Sequence, residues 1–493
     1  MLKKLAGETA IYGVSSILSR LLNYVILTPY LTNVFLRGEY GVVSDMYVYA
    51  GLLMVLFTYR METTFFRFGT KGGEERERVF STALWSLLFS TVVLVAVLYH
   101  FAPEIAAFLH YPEHPEYVWW FIFIIGFDAM SAVPFARLRL ENKAMRFALL
   151  KTLGILVNIF FIFFFLEIVP RYFEAAEGSR LSFLFDESNR ITFVFVANLI
   201  ASAVVLLLLL PEFRHLKMIF DKALWKQMMI YAMPLVVVGF AGVTNQLISI
   251  PLIKTLLPYS IEENLAQAGV YAASMKIAVL MSLFTQAFNY AAEPFFFRHA
   301  KRKDAKETYA QVAQAFALVG SLVFLGIMMY IDIIQYFIGK DFREGLNVVP
   351  ILLLAFLMLG LYYNFSIWYK LTDRTRYGAY ISLIGVVITL ALNVLLIPHI
   401  GYIGGAWAAL ACYGTMALLS YLWGQKYFSV DYPVGKILFY IGSAVLVFFI
   451  STKLSLAMDS SLLIRLLTNT FLLLSWVLGI YFLERDSFRQ MNF

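Results

Sequence analysis

The sequence predicts an all-α integral membrane protein with about fourteen membrane-spanning helices. We expect two six-helix lobes related by a pseudo-two-fold axis along the membrane normal, followed by a two-helix C-terminal extension. Three observations support this fold: an apolar composition, fourteen apolar stretches of helix length, and a phrase that recurs 231 residues later. Of the 493 residues, 61% are hydrophobic and only 14% are charged, with a mean hydropathy of +0.75. Soluble proteins average about 25% charged residues, so we expect lipid to solvate this chain.

The fourteen apolar stretches define the predicted spans, because a membrane-crossing helix needs about 20 mostly apolar residues. One of them is longer than needed and contains Pro234 and Pro251, so we expect it to bend. The spans lie near 10–36, 40–66, 80–101, 117–138, 147–169, 191–211, 226–256, 265–292, 308–330, 346–369, 377–398, 402–424, 435–456 and 461–483.

Lysine and arginine in the connecting segments set the predicted orientation. With a cytoplasmic N-terminus, the inside segments hold 26 of these cations and the outside segments hold 8, Lys254 among them. Positive residues concentrate on the cytoplasmic side. We therefore expect a multi-pass membrane protein with both termini in the cytoplasm.

Several function classes are excluded at this stage. The basic residues form short clusters between apolar spans, which argues against nucleic-acid binding despite the net charge of +7. The single cysteine, Cys412, permits neither an intrachain disulfide nor a cysteine-based metal site. No phosphate-binding loop motif is present, and we expect no metal or cofactor.

The recurring phrase is "ETTFFR" at 62–67, which returns as "EPFFFR" at 293–298. The same interval of 231 residues separates Arg139 from Lys370 and Gly154 from Gly385. Several matches in register predict a six-helix repeat, and an even number of helices gives both halves the same orientation. The predicted lobes are 1–222 and 223–430, with the two extra helices in 431–493.

Ionisable residues inside spans are the candidate functional groups, because each costs about 2.5–3.5 kcal/mol at mid-membrane on insertion scales. Arg20, Arg60 and Lys276 are expected to meet in a central water-filled cavity, with Asp45 beside them. Such a net-positive cavity suits phosphate oxygens. Glu62 lies two residues from Arg60, so the two should point to different sides of their helix and not satisfy each other.

Three carboxylates, Asp128, Glu62 and Glu293, are the candidates for coupling transport to a sodium or proton gradient. The plainer alternatives are that Asp128 accepts hydrogen bonds from neighbouring helices and that the glutamates anchor helix ends.

Two stretches carry a resemblance to a family. "SSILSRLLNYVILTPYLTNVFLRGEYGVVSDMY" (15–47) has an arginine in the first helix and a Tyr40-Gly41 turn before the second. "LNVLLIPHIGYIGGAWAALACY" (392–413) joins an asparagine-bearing helix end to a glycine-rich turn. Together they resemble polysaccharide-export flippases of the O-antigen or capsule branch of the multidrug/oligosaccharidyl-lipid/polysaccharide (MOP) exporter superfamily.

The resemblance implies a flippase that moves undecaprenyl-pyrophosphate-linked oligosaccharide across the inner membrane, with Arg20 at the family's head-group-binding position. Membrane lipid, a polysaccharide polymerase and glycosyltransferases of the pathway are the implied partners. Two alternatives remain open: an ion-coupled multidrug exporter of the same superfamily, and a membrane glycosyltransferase, polymerase or ligase. The small outside loops and the internal repeat favour a transporter over an enzyme.

Overall fold

The computed structural model describes residues 21–70, 73–174, 190–300, 302–458 and 461–490, and these ranges contain helices and no strand. Thirteen helices within them are long and apolar enough to cross a membrane. The first predicted span, 10–36, lies partly outside the described residues, and its described part is helical over 21–34. The prediction of an all-α, multi-pass membrane protein is confirmed.

The chain divides into two compact units, Met1–Gly269 and Val270–Phe493. The helices that begin in the first unit are α1 (21–34), α2 (Arg37–Thr58), α3 (Met61–Phe68), α4 (Glu74–His100), α5 (Ala102–Phe108), α6 (Pro115–Leu140), α7 (Ala144–Phe163), α8 (Val169–Glu174), α9 (Arg190–Phe213), α10 (Lys222–Leu247), α11 (Ser249–Leu256) and α12 (Ile261–His299), which continues into the second unit. Between α7 and α8, residues Phe164–Ile168 form a π-helical turn.

The remaining helices lie in the second unit. They are α13 (Ala305–Met329), α14 (Ile331–Ile334), α15 (Val349–Phe365), α16 (Ile367–Leu371), α17 (Arg376–Ile400), α18 (Ile403–Tyr427), α19 (Val434–Met458) and α20 (Leu462–Gln490).

Helix α6 organises the first unit, since it packs against α2, α3, α4, α5, α7 and α9. Its inner face is apolar and buried, and one core cluster joins Phe135 and Leu138 of α6 to Leu150 of α7 and Leu209 of α9. In the second unit, α15 packs on α13 and α18, while α17 packs on α18. Lipid replaces water around these helices, so contacts between helices rather than apolar burial alone must specify the packing.

The two C-terminal helices are tied to the second unit by polar contacts. Ser451 of α19 donates a hydrogen bond to Asn469 of α20 over 2.5 Å, and the Asn469 amide donates to the Met329 carbonyl at the end of α13 over 2.8 Å. Asparagine is well suited to such contacts in lipid, where each buried polar group needs a partner.

The 231-residue interval also separates helix boundaries. Three pairs show it: the ends of α3 and α12 at Phe68 and His299, the starts of α4 and α13 at Glu74 and Ala305, and the ends of α6 and α16 at Leu140 and Leu371. The boundary between the compact units lies inside α12 and differs from the predicted lobe boundary at 222/223. The six-helix lobes and their symmetry stay predictions.

Two glycines allow α2 and the start of α12 to cross at backbone contact. A Cβ atom on Gly41 would lie 2.0 Å from the Leu265 carbonyl oxygen, and one on Gly269 would lie 2.1 Å from the Arg37 carbonyl oxygen. No side chain can be accommodated at either point. Tyr40 and Gly41 thus lie inside α2 and not in a turn before it, as the sequence analysis expected, and the close approach gives a structural reason for the glycine.

The long predicted span 226–256 forms two helices, α10 and α11, which meet at Ile248. The break lies three residues before Pro251, whose nitrogen has no hydrogen to continue the backbone ladder. Pro234 lies inside α10.

Candidate functional site

A break in the second predicted span places Arg60 at a helix end. Tyr59 and Arg60, between α2 and α3, have φ angles of 31° and 58°, in the left-handed region. Residues other than glycine adopt this region at a cost of about 1–3 kcal/mol each, and such strain clusters at functional sites. The surrounding contacts must therefore hold the break in place.

Helices α10 and α4 supply those contacts. The Arg60 guanidinium lies against Gly239, where a Cβ atom would be only 2.6 Å from Nη2 and 2.7 Å from Nε. The Tyr59 hydroxyl and Ser86 Oγ of α4 are 2.6 Å apart. The side chain of Arg60 is 37% exposed. The break thus places the Arg60 guanidinium beside Gly239, where the surface of α10 has no side chain.

The expectation that Arg60 and Glu62 point to different sides of one helix was wrong, although their contact leaves Glu62 Oε2 without a hydrogen-bond partner among the described residues. Arg60 Nη1 lies 3.8 Å from Glu62 Oε1. The expectation assumed a continuous helix, in which residues two apart point in different directions. Because the helix breaks at Tyr59 and Arg60, that spacing rule does not apply across it.

Glu62 and Glu293 each lie near a cation of a later helix, two predicted spans further along the chain. Glu62 interacts electrostatically with Arg139, whose guanidinium lies 5.5 Å from the Phe66 ring centre. In the second unit, Lys370 Nζ donates to Glu293 Oε1 over 2.7 Å. The four residues are the ones that the 231-residue interval relates, Glu62 to Glu293 and Arg139 to Lys370. The acid–base pairing is therefore repeated along with the sequence.

Asp45 is fully buried in a polar cluster that we call the Asp45 cluster, consisting of Asp45, Tyr49, Tyr111, Lys254 and Asn264. Lys254 Nζ lies 2.5 Å from Asp45 Oδ2, and both side chains are 0% exposed. Lys254 also donates to the Leu109 carbonyl over 2.9 Å and to Tyr49 over 3.3 Å. A buried charge pair is tolerated when further hydrogen bonds satisfy it. Here Lys254 and Asp45 Oδ2 have such bonds, whereas Asp45 Oδ1 is buried and has no hydrogen-bond partner among the described residues.

The same cluster joins four elements of the first unit: α2, the turn after α5, α11 and the start of α12. Tyr111 donates to Asp45 Oδ2 over 2.7 Å, and burial together with the neighbouring carboxylate raises the pKa of Tyr111 well above its ordinary value. Tyr111 therefore stays protonated and remains a donor. The Asn264 amide donates to the carbonyls of Lys254 and Leu257, both over 2.9 Å.

Asp128 lies among helices of the first unit. It hydrogen-bonds to Ser202 of α9 and interacts electrostatically with Lys151 of α7. Lys151 Nζ also lies 4.1 Å from the Phe135 ring centre. This position, between α6, α7 and α9, gives Asp128 partners on both neighbouring helices.

Only some residues of the predicted cation-lined site can be compared with the structure. Arg20 lies outside the described residues. Arg60 belongs to the first unit and Lys276, half-buried in α12, to the second, so their convergence stays a prediction. Asp45 is paired with Lys254, which the sequence analysis had counted among the outside loop cations. No group of His, Cys, Asp or Glu suited to a metal ion occurs in the described ranges.

A buried arginine was also missed by sequence reasoning. Arg137, 2% exposed, makes paired bonds of 2.9 and 2.6 Å to Glu77 and lies 2.8 Å from Glu141. Glu212, which pairs with Arg146 over 2.7 Å, is 4.0 Å away. The spacing of four between Arg137 and Glu141 could have predicted one of these pairs. The cluster ties together the ends of α4, α6, α7 and α9.

Comparison with known proteins identifies the fold. No protein-family model and no curated protein sequence matches the chain. Its structure is similar to the lipid II flippase MurJ in an inward closed conformation, with a TM-score of 0.70 and 15% identity over 97% of this chain and 99% of that one.

It is also similar to a multidrug resistance MATE transporter of the MOP superfamily in two conformations. The inward-facing form has a TM-score of 0.60 and 12% identity over 82% of this chain and 97% of that one. The outward-facing form has the same score and identity over 85% and 93%. The chain therefore has the fold of these transporters, and at such identities the likeness concerns the fold alone.

Proposed function

We propose that this protein is a transporter of the MOP exporter superfamily that moves lipid-linked oligosaccharide across the bacterial inner membrane by alternating access. Its cargo is an undecaprenyl-pyrophosphate-linked unit of O-antigen, capsule or exopolysaccharide. It performs no bond chemistry, and any driving force comes from a sodium or proton gradient.

The observation that carries this proposal is the extent of the structural likeness. The flippase match covers 97% of this chain, whereas the two MATE matches above cover 82% and 85%. The flippase thus matches a larger share of the chain than either of these two MATE structures.

Arg60 is the described residue best placed to receive the cargo. It combines a permanent charge, partial exposure and a position held by a strained backbone. A guanidinium binds phosphate oxygens through paired hydrogen bonds, which suits a pyrophosphate head group. Arg20 and Lys276 are its proposed partners in the same cavity.

The Asp45 cluster supplies one gate of the proposed cycle. Helices α10 and α11 belong to the second predicted lobe, yet they pack with the first predicted lobe in one compact unit. The Asp45–Lys254 pair therefore joins the two predicted lobes, at the helix ends that the charge pattern assigns to the outside. Opening towards that side would require the pair to separate.

The coupling site is proposed among three carboxylates. Glu62 Oε2 is buried and has no hydrogen-bond partner within the described part of the chain, which makes it the strongest candidate. Asp128 and Glu293 have partners on neighbouring helices.

An ion-coupled multidrug exporter is the second candidate function. The likeness to MATE transporters favours it, as does the unpartnered Glu62 oxygen, since a carboxylate can attract a cationic drug. The charge on Arg60 opposes it, because a cation at the same break repels such cargo.

Transport in proteoliposomes tests the proposal. A fluorescent lipid-linked oligosaccharide should become accessible to a membrane-impermeant quencher in the presence of the protein, and a cationic dye should not compete. Arg60→Ala should lower the rate at least tenfold and Arg60→Lys less. Arg485→Ala removes an exposed arginine of α20 and serves as the matched control. Full transport by Arg60→Ala, or efficient competition by the dye, would reject the flippase assignment.

A further inference from the structure

An apolar pocket of about 680 Å³ lies in the first unit, beside the helix break, since Tyr59 is among its lining residues. Its walls come from α4, from α10 and from the connection 214–221 between α9 and α10. Trp85 and Phe89 line it on one side, Trp225 and Met229 on another, and Met218 to Phe220 close the end. This volume falls within the range of sites for small organic ligands, about 300–1,000 Å³.

The polar groups in the pocket walls already have protein partners. Trp225 donates to Ser86 Oγ over 2.8 Å, and that oxygen is also 2.6 Å from the Tyr59 hydroxyl. Trp85 donates to the Lys217 carbonyl over 3.0 Å, and Ser90 donates to the Leu87 carbonyl over 3.1 Å. Since these groups are satisfied within the protein, the pocket offers its occupant apolar contact.

The connection 214–221 carries an exposed apolar run at the pocket mouth. Met218, Ile219 and Phe220 are 87%, 45% and 50% exposed, although they lie between two spans rather than within one. Apolar side chains at this level of a membrane protein are buried by lipid rather than by water. The pocket therefore opens to the membrane.

The mouth is also positively charged. Lys217 and Lys222 flank the apolar run, and Lys226 follows one turn into α10; all three are exposed. The connection is held on α4 by hydrogen bonds from Lys217 N to Ser81 and from Asp221 N to Thr82. An apolar pocket with a basic rim matches an amphiphile with an anionic head group.

We infer that this pocket binds one anionic phospholipid of the cytoplasmic leaflet, with an acyl chain between α4 and α10 and its phosphate beside Lys217 and Lys222. Basic clusters at the cytoplasmic ends of membrane helices attract anionic lipid head groups. Methionine adapts its shape to irregular apolar partners, so Met218 and Met229 suit acyl chains of mixed length. The inference goes beyond the proposed function, because it concerns a resident membrane lipid rather than the cargo.

The bound lipid would contact Tyr59, which precedes Arg60 and lies at the helix break. Occupancy would thus support the strained backbone that positions the arginine. No sugar or pyrophosphate is needed for this interaction, so lipid binding is measurable whether or not the flippase assignment holds.

Native mass spectrometry of the full chain in detergent tests the inference. Phosphatidylglycerol is the probe, phosphatidylcholine the neutral comparison, and inorganic phosphate and undecaprenyl phosphate the competitors. Met229→Trp fills the pocket, and Met233→Trp is its matched control, because Met233 is exposed on the same helix and does not line the pocket. Lys217→Gln with Lys222→Gln removes the rim charge, and Lys453→Gln, at an exposed lysine of the second unit, is its control.

We expect one phosphatidylglycerol per chain, bound in preference to phosphatidylcholine. Met229→Trp should weaken binding at least tenfold, and each rim substitution about fivefold, the worth of one lysine near an anionic surface. Both controls should bind as the unaltered chain does, and inorganic phosphate should not displace the lipid.

Four results would each overturn the inference. They are equal binding of the two phospholipids, unchanged binding by Met229→Trp, displacement by inorganic phosphate alone, and one-for-one displacement by undecaprenyl phosphate at lower concentration. The last result would assign the pocket to the carrier lipid. Thermal unfolding in the absence of lipid confirms that each variant is folded.

Discussion

Residues 45–67 and 276–298 are related by the same 231-residue interval, but the first segment forms a broken helix and the second an unbroken one. Tyr59 and Tyr290 occupy equivalent positions. Tyr59 has a left-handed backbone between α2 and α3, whereas Tyr290 lies inside the 39-residue helix α12. The same residue type thus adopts two conformations, so the neighbouring packing decides between them.

The comparison separates what the halves share from what they do not. Both place a glutamate beside a cation, Glu62 with Arg139 and Glu293 with Lys370. Only the first half has the break, with Arg60 against Gly239, and only the first has an acid, Asp45, where the second has Lys276. The shared pairs are suited to holding helix ends, and the differences mark the positions at which the two halves have diverged.

The largest expected effect concerns Asp45 and its counterpart Lys276. Removing one charge of a buried pair costs about 3–5 kcal/mol, so Asp45→Asn and Lys254→Met should each lower the unfolding free energy by this amount. The double change Asp45→Leu with Lys254→Met should recover most of the loss, since no unpaired charge remains.

Lys276→Gln is the matched test in the other half, and it should destabilise less because Lys276 is only half-buried. Denaturant titration of the four variants in micelles measures this comparison. If Asp45→Asn unfolds like the unaltered chain, the Asp45 cluster does not lock the first unit.

The second expected effect concerns the glycine beside Arg60. Gly239→Ala would place a methyl group against the guanidinium and displace it, lowering the transport rate roughly tenfold, which corresponds to about 1.4 kcal/mol. Gly242→Ala, three residues along α10, has no atom within 4 Å of the added methyl and should leave transport unchanged. Equal rates in both variants would show that the position of Arg60 is not critical.

The third prediction uses the two equivalent tyrosines. At position 59, Tyr59→Gly should be more stable than Tyr59→Ala by about 1 kcal/mol, because alanine is strained in the left-handed region. At position 290 the order should reverse, with Tyr290→Ala more stable than Tyr290→Gly by about 1 kcal/mol, since glycine weakens a helix. Melting temperatures of the four variants give both orders, and the same order at both positions would contradict the assigned break.

The smallest effects concern the repeated acid–base pairs. Both are partly exposed, and such pairs contribute about 0–1 kcal/mol. Double-mutant cycles with Glu293→Gln and Lys370→Gln, and with Glu62→Gln and Arg139→Gln, should give the larger coupling energy for the direct 2.7 Å contact of the second unit. A larger coupling in the first unit would mean that Glu62 is held more tightly than its geometry indicates.

The sequence predicted the features that depend on lipid as solvent and on local spacing. The spans followed from runs of apolar residues, and the interval of 231 residues reappears in helix boundaries such as Phe68 and His299. What it could not predict depends on tertiary contacts. Nothing in "FTYRME" requires a break, because neither tyrosine nor arginine favours a left-handed backbone. The error over Arg60 and Glu62 followed directly from that omission.

The partners of the buried charged residues could not be predicted from the sequence either. Asp45 and Lys254 are 209 residues apart, and their contact depends on how α11 folds back on α2. Lys254 ends an apolar span, so its sequence position also fits an interfacial loop. Burial rather than residue type distinguishes the two roles.

The crossing of α2 at Gly41 has a mechanical consequence for Arg60. Backbone atoms meet there with no side chain between them, so a change in the angle between the two helices would move no side chain at the crossing itself. The seventeen residues from Gly41 to Thr58 span about 26 Å at 1.5 Å per residue. If α2 tilts by about 10° around Gly41, its end next to Arg60 moves by about 4 Å. A small rotation at the crossing therefore produces a large displacement at the arginine.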